Sequence, residues 1–455
     1  MCGIAGGTNI SEDAVAAMLD RIRHRGPDGS GIKSVGNVVH GHVRLALVDL
    51  SAASAQPFLC SGTTLTFNGE VWNYRDLRSR LGGDFKTTGD TEVLAKWMNA
   101  HGLDGLPEVD GMFAFAWSGS DGKHWLVRDS FGKVPLYVAK HRNGFLWASE
   151  RKAFPKNVQP IAVPAGHAFD LTAGQWKRWY TLPQQRPMSA PDVLASLKAG
   201  VLKRLAADAP VCCLISGGLD SSLVLALAVE SGKDVTAYTA VVDSAAEDAV
   251  SARRLCSELS VRLVEVRCSV NSKAIMQAME SIEIPSKAQV EIAALCLPLA
   301  KRIAADGFKA CLSGEAADEL FGGYGNFCIK ASSASDSQVI ALRKEALAKM
   351  ARGNFIRCNK AFMSAGVECR LPFMEQSLAE AAVQLTKRES PPRKKTTQGS
   401  RETDSSEVGN RSAERYFSRR QRGVEANRCD YRESDQVLQR HAKNTVWLSP
   451  KGLRK

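Results

Sequence analysis

The sequence predicts two domains of different class, a sheet-rich α+β layered sandwich followed by an α/β domain built on a parallel sheet. Three observations carry that prediction. The chain has 455 residues, and domains of roughly 100–200 residues are the norm, so a single core will not hold it. Through the first third, short strand-like runs alternate with Gly and Pro turns, and two helical stretches interrupt them. In the second half the order becomes strand, loop, helix, repeated, the pattern of parallel strands covered by helices. Pro183, Pro187 and Pro191 punctuate the stretch between. We therefore expect domains at 1–182 and 192–392, a linker at 183–191 and a separate tail at 393–455.

Taken in order, the first domain should place helices near Ser11 to Ile22 and Thr91 to His101. Its strands are expected at Val38 to His42, Arg44 to Asp49, Thr63 to Phe67, Met112 to Trp117, His124 to Arg128 and Phe145 to Ala148. In the second domain, strands at Val211 to Ile215, Val235 to Val242, Arg262 to Val266 and Phe308 to Leu312 should alternate with helices that include Ser222 to Glu230 and Glu247 to Leu259. Ligands of a parallel sheet bind beyond the carboxyl ends of its strands, so the Gly-rich turn after Ile215 is the first place to look.

Composition narrows the function. The net charge of +12 lies mostly in residues 391–455, with 16 Lys or Arg against 8 Asp or Glu, leaving 44 against 40 elsewhere. A body so nearly balanced is no nucleic-acid groove, and no nucleic-acid partner is expected. No apolar run reaches the roughly 20 residues that span a bilayer, so no membrane partner is expected either. Met1 to Asn9 lack the basic start and apolar core of a secretory signal, which points to the cytoplasm and to twelve reduced cysteines. None forms a C-x-x-C pair, so no zinc site is expected.

Cys2 is the first chemical signal. Loss of Met1 would leave a thiol and a free α-amine on one residue, nucleophile and base together near neutral pH. Ordered blocks accompany it: MCGIAGG, RHRGPDGSG at Arg23 to Gly31, HVRLALVDL at His42 to Leu50, FNGEVWNY at Phe67 to Tyr74, TTGDTEVL at Thr87 to Leu94 and DGMFAFAW at Asp110 to Trp117. Together they resemble a class II glutamine amidotransferase. The resemblance implies an N-terminal nucleophile (Ntn) hydrolase sandwich, with Cys2 attacking the glutamine side-chain amide. It implies further that Asn68 and the backbone N–H of Gly69 stabilise the oxyanion, Arg44 pairs with the α-carboxylate, and Gly69, Glu70 and Asp90 hold the polar groups and α-ammonium.

The run LISGGLDSS, Leu214 to Ser222, ends a strand with a Gly-rich loop and opens a helix, a geometry suited to phosphate. No Gly-Lys-Ser/Thr follows, so this is not a Walker A loop. It resembles the pyrophosphate-gripping loop of ATP pyrophosphatases, which implies an ATP site at Leu214, Ser216, Gly217, Gly218, Asp220, Ser221 and Ser222. A second block, SGEAADELFGGY at Ser313 to Tyr324, and NKAFMSAGVECRLPFM at Asn359 to Met374 are similar to segments of the glutamine-hydrolysing asparagine synthetase family, the first with Ala316 where the family has Gly. That likeness implies Ser313 and Gly314 at ATP, Glu315 as a catalytic carboxylate, Asp220 and Asp318 on Mg2+, and Arg357 as a candidate contact to substrate. Glutamine, ATP and aspartate are the implied substrates. Ile284 to Arg302 does not reproduce the family's substrate-side segment, which keeps another carboxylate acceptor open. Oligomeric state is also open, a homodimer included.

The tail departs from the family. Where a Leu-rich helix is expected after Lys394, the implied pyrophosphate-contacting lysine, residues 391–455 hold only eight Leu, Ile, Val or Phe. So apolar-poor a segment buries little surface and is expected to be disordered. Read one base later with permitted codons, Thr396 to Arg420 can restore the missing helix, so a frameshift near Lys395 is expected. A protein degenerate in its second half, keeping only glutaminase or binding function, is the alternative.

Overall fold

A computed structural model describes residues 1–184 and 188–386. Expectations for residues 393–455, Lys394 and the frameshift included, lie outside the described residues.

The first half contains β1 Gly3–Thr8, β2 Gly29–Val35, β3 Val38–Arg44, β4 Phe58–Cys60, β5 Thr63–Val71, β6 Gly111–Ser118, β7 His124–Arg128, β8 Tyr137–His141, β9 Gly144–Ala148, β10 Ile161–Ala162, β11 His167–Asp170 and β12 Gln175–Arg178. They form two antiparallel six-stranded sheets, ordered β10-β8-β9-β1-β3-β2 and β12-β11-β7-β6-β5-β4. Ile4, Val38, Ala114, Leu126 and Trp147 share the core between them. Three helices accompany the sheets: α1 Glu12–Asp20, α2 Tyr74–Leu81 and α3 Asp90–His101. Helix α1 is started by Ser11, whose side chain accepts from the Ala14 N–H. Its Val15, Met18 and Leu19, one helical face, pack with Val39 and Val43 of the first sheet. Val93, Leu94 and Trp97 of α3 pack with Leu65, Phe67 and Phe113 of the second. The order is helix, sheet, sheet, helix.

The expected strand from Arg44 to Asp49 is not formed. β3 stops at Arg44, and the backbone beyond it finds other partners: Leu45 N–H meets Cys2 Sγ, Ala46 N–H donates to Asp28 Oδ2, and Leu47 O accepts from Asp208 N–H. Helix α2 and the strands β1, β2, β4, β8, β10, β11 and β12 were not expected from the sequence.

In the second half, α4 Ala190–Leu205 leads to β13 Val211–Leu214, α5 Leu219–Glu230, β14 Thr236–Val241, α6 Glu247–Glu258, β15 Arg262–Arg267, α7 Ser272–Ile282 and α8 Lys287–Ala305. There follow β16 Ala310–Leu312, α9 Ala317–Phe321, α10 Gly325–Ser333, α11 Asp336–Met350, α12 Asn354–Met363, β17 Glu368–Arg370 and α13 Gln376–Ala382. Helix α4 begins inside the expected linker: Ser189 caps it and Pro191 lies in its first turn, where a missing N–H is tolerated. The strands build one parallel sheet, β15-β14-β13-β16-β17. From β13 the chain winds outward first through β14 and β15, then on the other side through β16 and β17. The crevice at such a reversal is where ligands of open α/β sheets bind.

Candidate active sites

Cys2 is buried just ahead of β1, in the wall of a cleft of about 370 Å³ that also gathers Arg44, Gln56, Gly69, Glu70 and Asp90. The central place of β1 in its sheet fixes the nucleophile candidate. The Cys2 N–H donates to Asn68 Oδ1 (2.9 Å), Leu45 N–H lies 3.4 Å from Sγ, and Arg25 Nε donates to the Cys2 carbonyl (2.9 Å). Asn68 lies behind the cleft wall, its Nδ2 donating to Ser149 Oγ (3.3 Å). Arg44 holds its guanidinium at the rim by donating to the Ser51 and Asp49 carbonyls (2.9 and 2.6 Å). Asp90 opens α3 and accepts from Val71 N–H (2.9 Å).

The electrostatics favour a cationic guest. Burial raises Glu70 well above the usual carboxylate range, Glu368 adding to the effect and Arg370 opposing it. Asp90 is pushed up to about 6, first by burial, although the Val71 N–H works the other way. Both carboxyls gain by taking up an ammonium group. Burial also raises the Cys2 thiol, the chain-terminal ammonium opposing it. A thiol so placed needs a base to become nucleophilic.

At the second site the two glycine-bearing loops meet. Leu214 ends β13, and Ser216, Gly217 and Gly218 turn the chain into α5, whose first turn carries Asp220, Ser221 and Ser222. Ser216 N–H donates to Ser221 Oγ (3.1 Å), and Ser222 Oγ donates to the Gly218 carbonyl (2.7 Å). Gly217 has φ +78°, and a Cβ there would stand 2.0 Å from the Asp248 carbonyl oxygen. At Gly314, beyond neighbouring β16, a Cβ would stand 2.6 Å from the Ser221 nitrogen. Only glycine lets the two backbones approach this closely. Ser313 N–H donates to the Arg370 carbonyl at 3.0 Å, tying in β17.

Glu315 follows at once. Asn354 Nδ2 donates to its Oε1 (2.8 Å), Arg357 pairs with its Oε2, and the Cys358 thiol lies 3.4 Å from Oε2. Arg357 also donates to Gln289 Oε1 (3.0 Å). As placed, Arg357 ties Glu315 to Gln289. Ala316 takes φ +84°, a left-handed conformation where the family motif has Gly. Asp318 lies in the first turn of α9. Among the described residues no group of three or more His, Cys, Asp or Glu side chains could hold a metal.

Residues 1–172 match the model of the glutamine amidotransferase domain, and residues 192–353 that of asparagine synthase. Asparagine synthetase [glutamine-hydrolyzing] 2 of Arabidopsis thaliana is 30% identical over 415 residues, 85% of this chain and 71% of that one. Asparagine synthetase B of Escherichia coli (strain K12) is 32% identical over 420 residues, 85% of this chain and 75% of that one. The chain belongs to the glutamine-hydrolysing asparagine synthetase family.

For a member of this family, sequence reasoning missed the residues that join the two sites. Arg25 donates from Nη2 to Asn359 Oδ1 (2.9 Å) and from Nη1 to Glu150 Oε1 (2.7 Å). Glu368 pairs with the Met1 ammonium and with Arg370 Nε (2.6 Å), and Arg370 reaches Glu70 at 3.3 Å. Arg25 lies in the segment RHRGPDGSG, and Asn359, Glu368 and Arg370 lie in NKAFMSAGVECRLPFM. Buried charges without a role in the local strand or helix pattern were the signal available.

Proposed function

We propose that the chain is a glutamine-dependent asparagine synthetase: glutamine is hydrolysed at Cys2, and the ammonia released amidates an AMP-activated aspartate side chain. The observation that carries this reading is the gathering of Cys2, Arg44, Gly69, Glu70 and Asp90 on one cleft. Arg44 receives the α-carboxylate of glutamine, and Asp90 and Glu70 its ammonium. With Met1 removed, the Cys2 amine takes the thiol proton, and the thiolate adds to the side-chain carbonyl beside the Gly69 N–H and Asn68. Ammonia leaves as the acyl–sulfur bond is established, and water then cleaves the thioester to glutamate.

In the Ntn-type sandwich this releases the nitrogen; in the ATP-pyrophosphatase-type domain the acceptor is activated. The loop at Ser216 to Ser222, with Ser313 and Gly314, holds ATP so that a carboxylate oxygen of aspartate attacks the α-phosphorus and pyrophosphate departs. Ammonia then displaces AMP. Glu315 serves as the carboxylate beside the reacting groups, and Lys394 as a contact to pyrophosphate. Asp220 and Asp318 are hard oxygen donors at the starts of α5 and α9, a set that suits Mg2+, which takes one or two carboxylates and completes its shell with phosphate and water. When bound, Mg2+ offsets phosphate charge. The free thiols fit a cytoplasmic setting.

A second reading, amidation of a different carboxylate, is favoured by α8. This helix lies in the segment that departs from the family, and its Gln289 reaches both Arg357 and Asn354 at 3.0 Å. Incubation with glutamine, ATP, Mg2+ and aspartate, with glutamate, AMP, pyrophosphate and asparagine measured separately, tests both. Equal amounts of AMP and asparagine are expected. Glutamate without AMP would leave a glutaminase alone.

A further inference from the structure

Arg343, on α11, is a fully buried guanidinium with too few acceptors. Its Nη1 donates to the Leu320 carbonyl at the end of α9, and its carbon lies 5.0 Å from the centre of the Phe327 ring. Among the described residues, its Nε and Nη2 find no hydrogen-bond partner. Donors left bare inside a protein are costly, and burial pushes this arginine down to about 10. The group that opposes the shift is Cys328, the residue after Phe327. Cys328 is partly exposed, and its Sγ donates to the Gly322 carbonyl at 3.4 Å. Gly322 closes α9, and a Cβ there would stand 2.4 Å from the Phe327 ring, so α10 is pressed onto the end of α9. Bare donors and thiol thus meet at the last turn of the helix that carries Asp318 and Glu319.

We propose that Cys328 is a modification site, a thiol that a hydroperoxide oxidises to the sulfenate, with Arg343 as the cation that holds the product. A reactive thiol needs solvent access and a positive neighbour, and Cys328 has both. The sulfur attacks one peroxide oxygen, and an S–O bond forms as the O–O bond breaks. The departing hydroxide takes the thiol proton as water, and the sulfenic acid gives its own proton to solvent. Sulfur loses two electrons and the peroxide gains them. The new oxygen accepts from the bare donors of Arg343. Buried Cys213 and Cys311, pushed up by burial to about 12 and about 11, stay reduced. A sulfenate has no proton to donate, so the Gly322 carbonyl loses its hydrogen bond and faces an anion. The end of α9 is then released, and Glu319 with it, whose Oε1 accepts from Asn354 Nδ2 (2.7 Å), itself a donor to Glu315. Oxidation therefore slows adenylation, a consequence that rests on the reading of the second site given above. A thiol reductant restores Cys328.

The test uses the full chain, reduced and then exposed briefly to hydrogen peroxide. Sulfenic acids are trapped with dimedone, and the labelled peptides are ranked by mass spectrometry. AMP formation from ATP, Mg2+ and aspartate is measured on the same samples, with ammonium chloride as nitrogen source so that damage at Cys2 has no bearing. Cys328 should label ahead of the other partly exposed cysteines, Cys60, Cys268 and Cys296. AMP formation should fall as it labels and return with dithiothreitol, whereas Cys328→Ser should keep its AMP formation through the same treatment. Arg343→Met should slow labelling of Cys328 by at least about threefold, a roughly tenfold loss of thiolate partly offset by the greater nucleophilicity of a more basic sulfur. Unchanged labelling in the folded methionine variant overturns the proposal. Should that variant fail to fold, the wild type decides alone: labelling of Cys328 no faster than of Cys60 overturns the proposal. Labelling without loss of AMP formation overturns the effect on the second site. A chain that makes no AMP even when reduced overturns instead the reading of that site, and the order of labelling still decides whether Cys328 is modified.

Discussion

Arg370 and Glu70 meet 3.3 Å apart, although one stands on the last strand of the parallel sheet and the other in the wall of the Cys2 cleft. Both are buried, and Glu368 shares the same guanidinium. The pair makes the carboxyl chemistry of the first site depend on a residue of the second half.

Replacing Arg370 with Met should therefore leave buried Glu70 without its cation and Glu368 with the chain-terminal ammonium alone. Removing one partner of a buried ion pair destabilises by about 3–5 kcal/mol. Urea unfolding should show that loss as a lower midpoint at similar slope, and KM for glutamine should shift as Glu70 changes its proton affinity.

Cys2→Ala should abolish glutamate formation, by roughly a thousandfold or more for loss of a nucleophile, while amidation driven by added ammonium salt persists. Unchanged glutamate production would remove Cys2 from the mechanism.

Asp90 gives a pH signature. Its folded-state value of about 6 lies above the ordinary 3.8, so the folded chain binds the proton more tightly than the unfolded one. Its contribution to stability is therefore greatest at low pH and falls as pH rises through the window between those values. Glutamine binding needs the charged form. KM for glutamine should climb as pH drops below about 6, by up to about tenfold per unit. Asp90→Asn should show a raised, flat KM over that range, and a slope identical to the wild type would exclude Asp90 from ammonium binding.

At Ala316, φ is +84°. A left-handed alanine costs roughly 1 kcal/mol relative to glycine there. Ala316→Gly is expected to raise the thermal midpoint and to leave glutaminase activity unchanged. A fall in the midpoint would mean that the alanine methyl makes contacts worth more than the strain.

Gly314→Ala should separate the two activities. Its methyl would press on the backbone nitrogen of Ser221, so AMP formation should drop steeply while glutamate formation without ATP persists. An unimpaired rate of AMP formation would show that the two loops can part without harm.

Strands such as His124–Arg128 and helices such as Glu247–Glu258 were legible because apolar spacing and Gly or Pro punctuation are local properties. β1 was not legible: GIAGGT lacks alternation and is half glycine, and its central place is set by β3 and β9 on either side. The segment after Arg44 looked like a strand from its composition, yet its backbone partners are a thiol, a carboxylate and a distant loop.

The sequence by itself determined the two-part architecture, the alternation of strands and helices from β13 to β15, and the residue types of each motif, because short-range pattern and motif spacing are written along the chain. Only the tertiary structure decided that Arg357 holds Glu315, that Asn359 reaches Arg25, and that Arg370 faces Glu70. The first joins residues 42 positions apart and the other two residues hundreds apart, and burial from water makes them strong; neither distance through space nor loss of solvent can be read from neighbours in sequence.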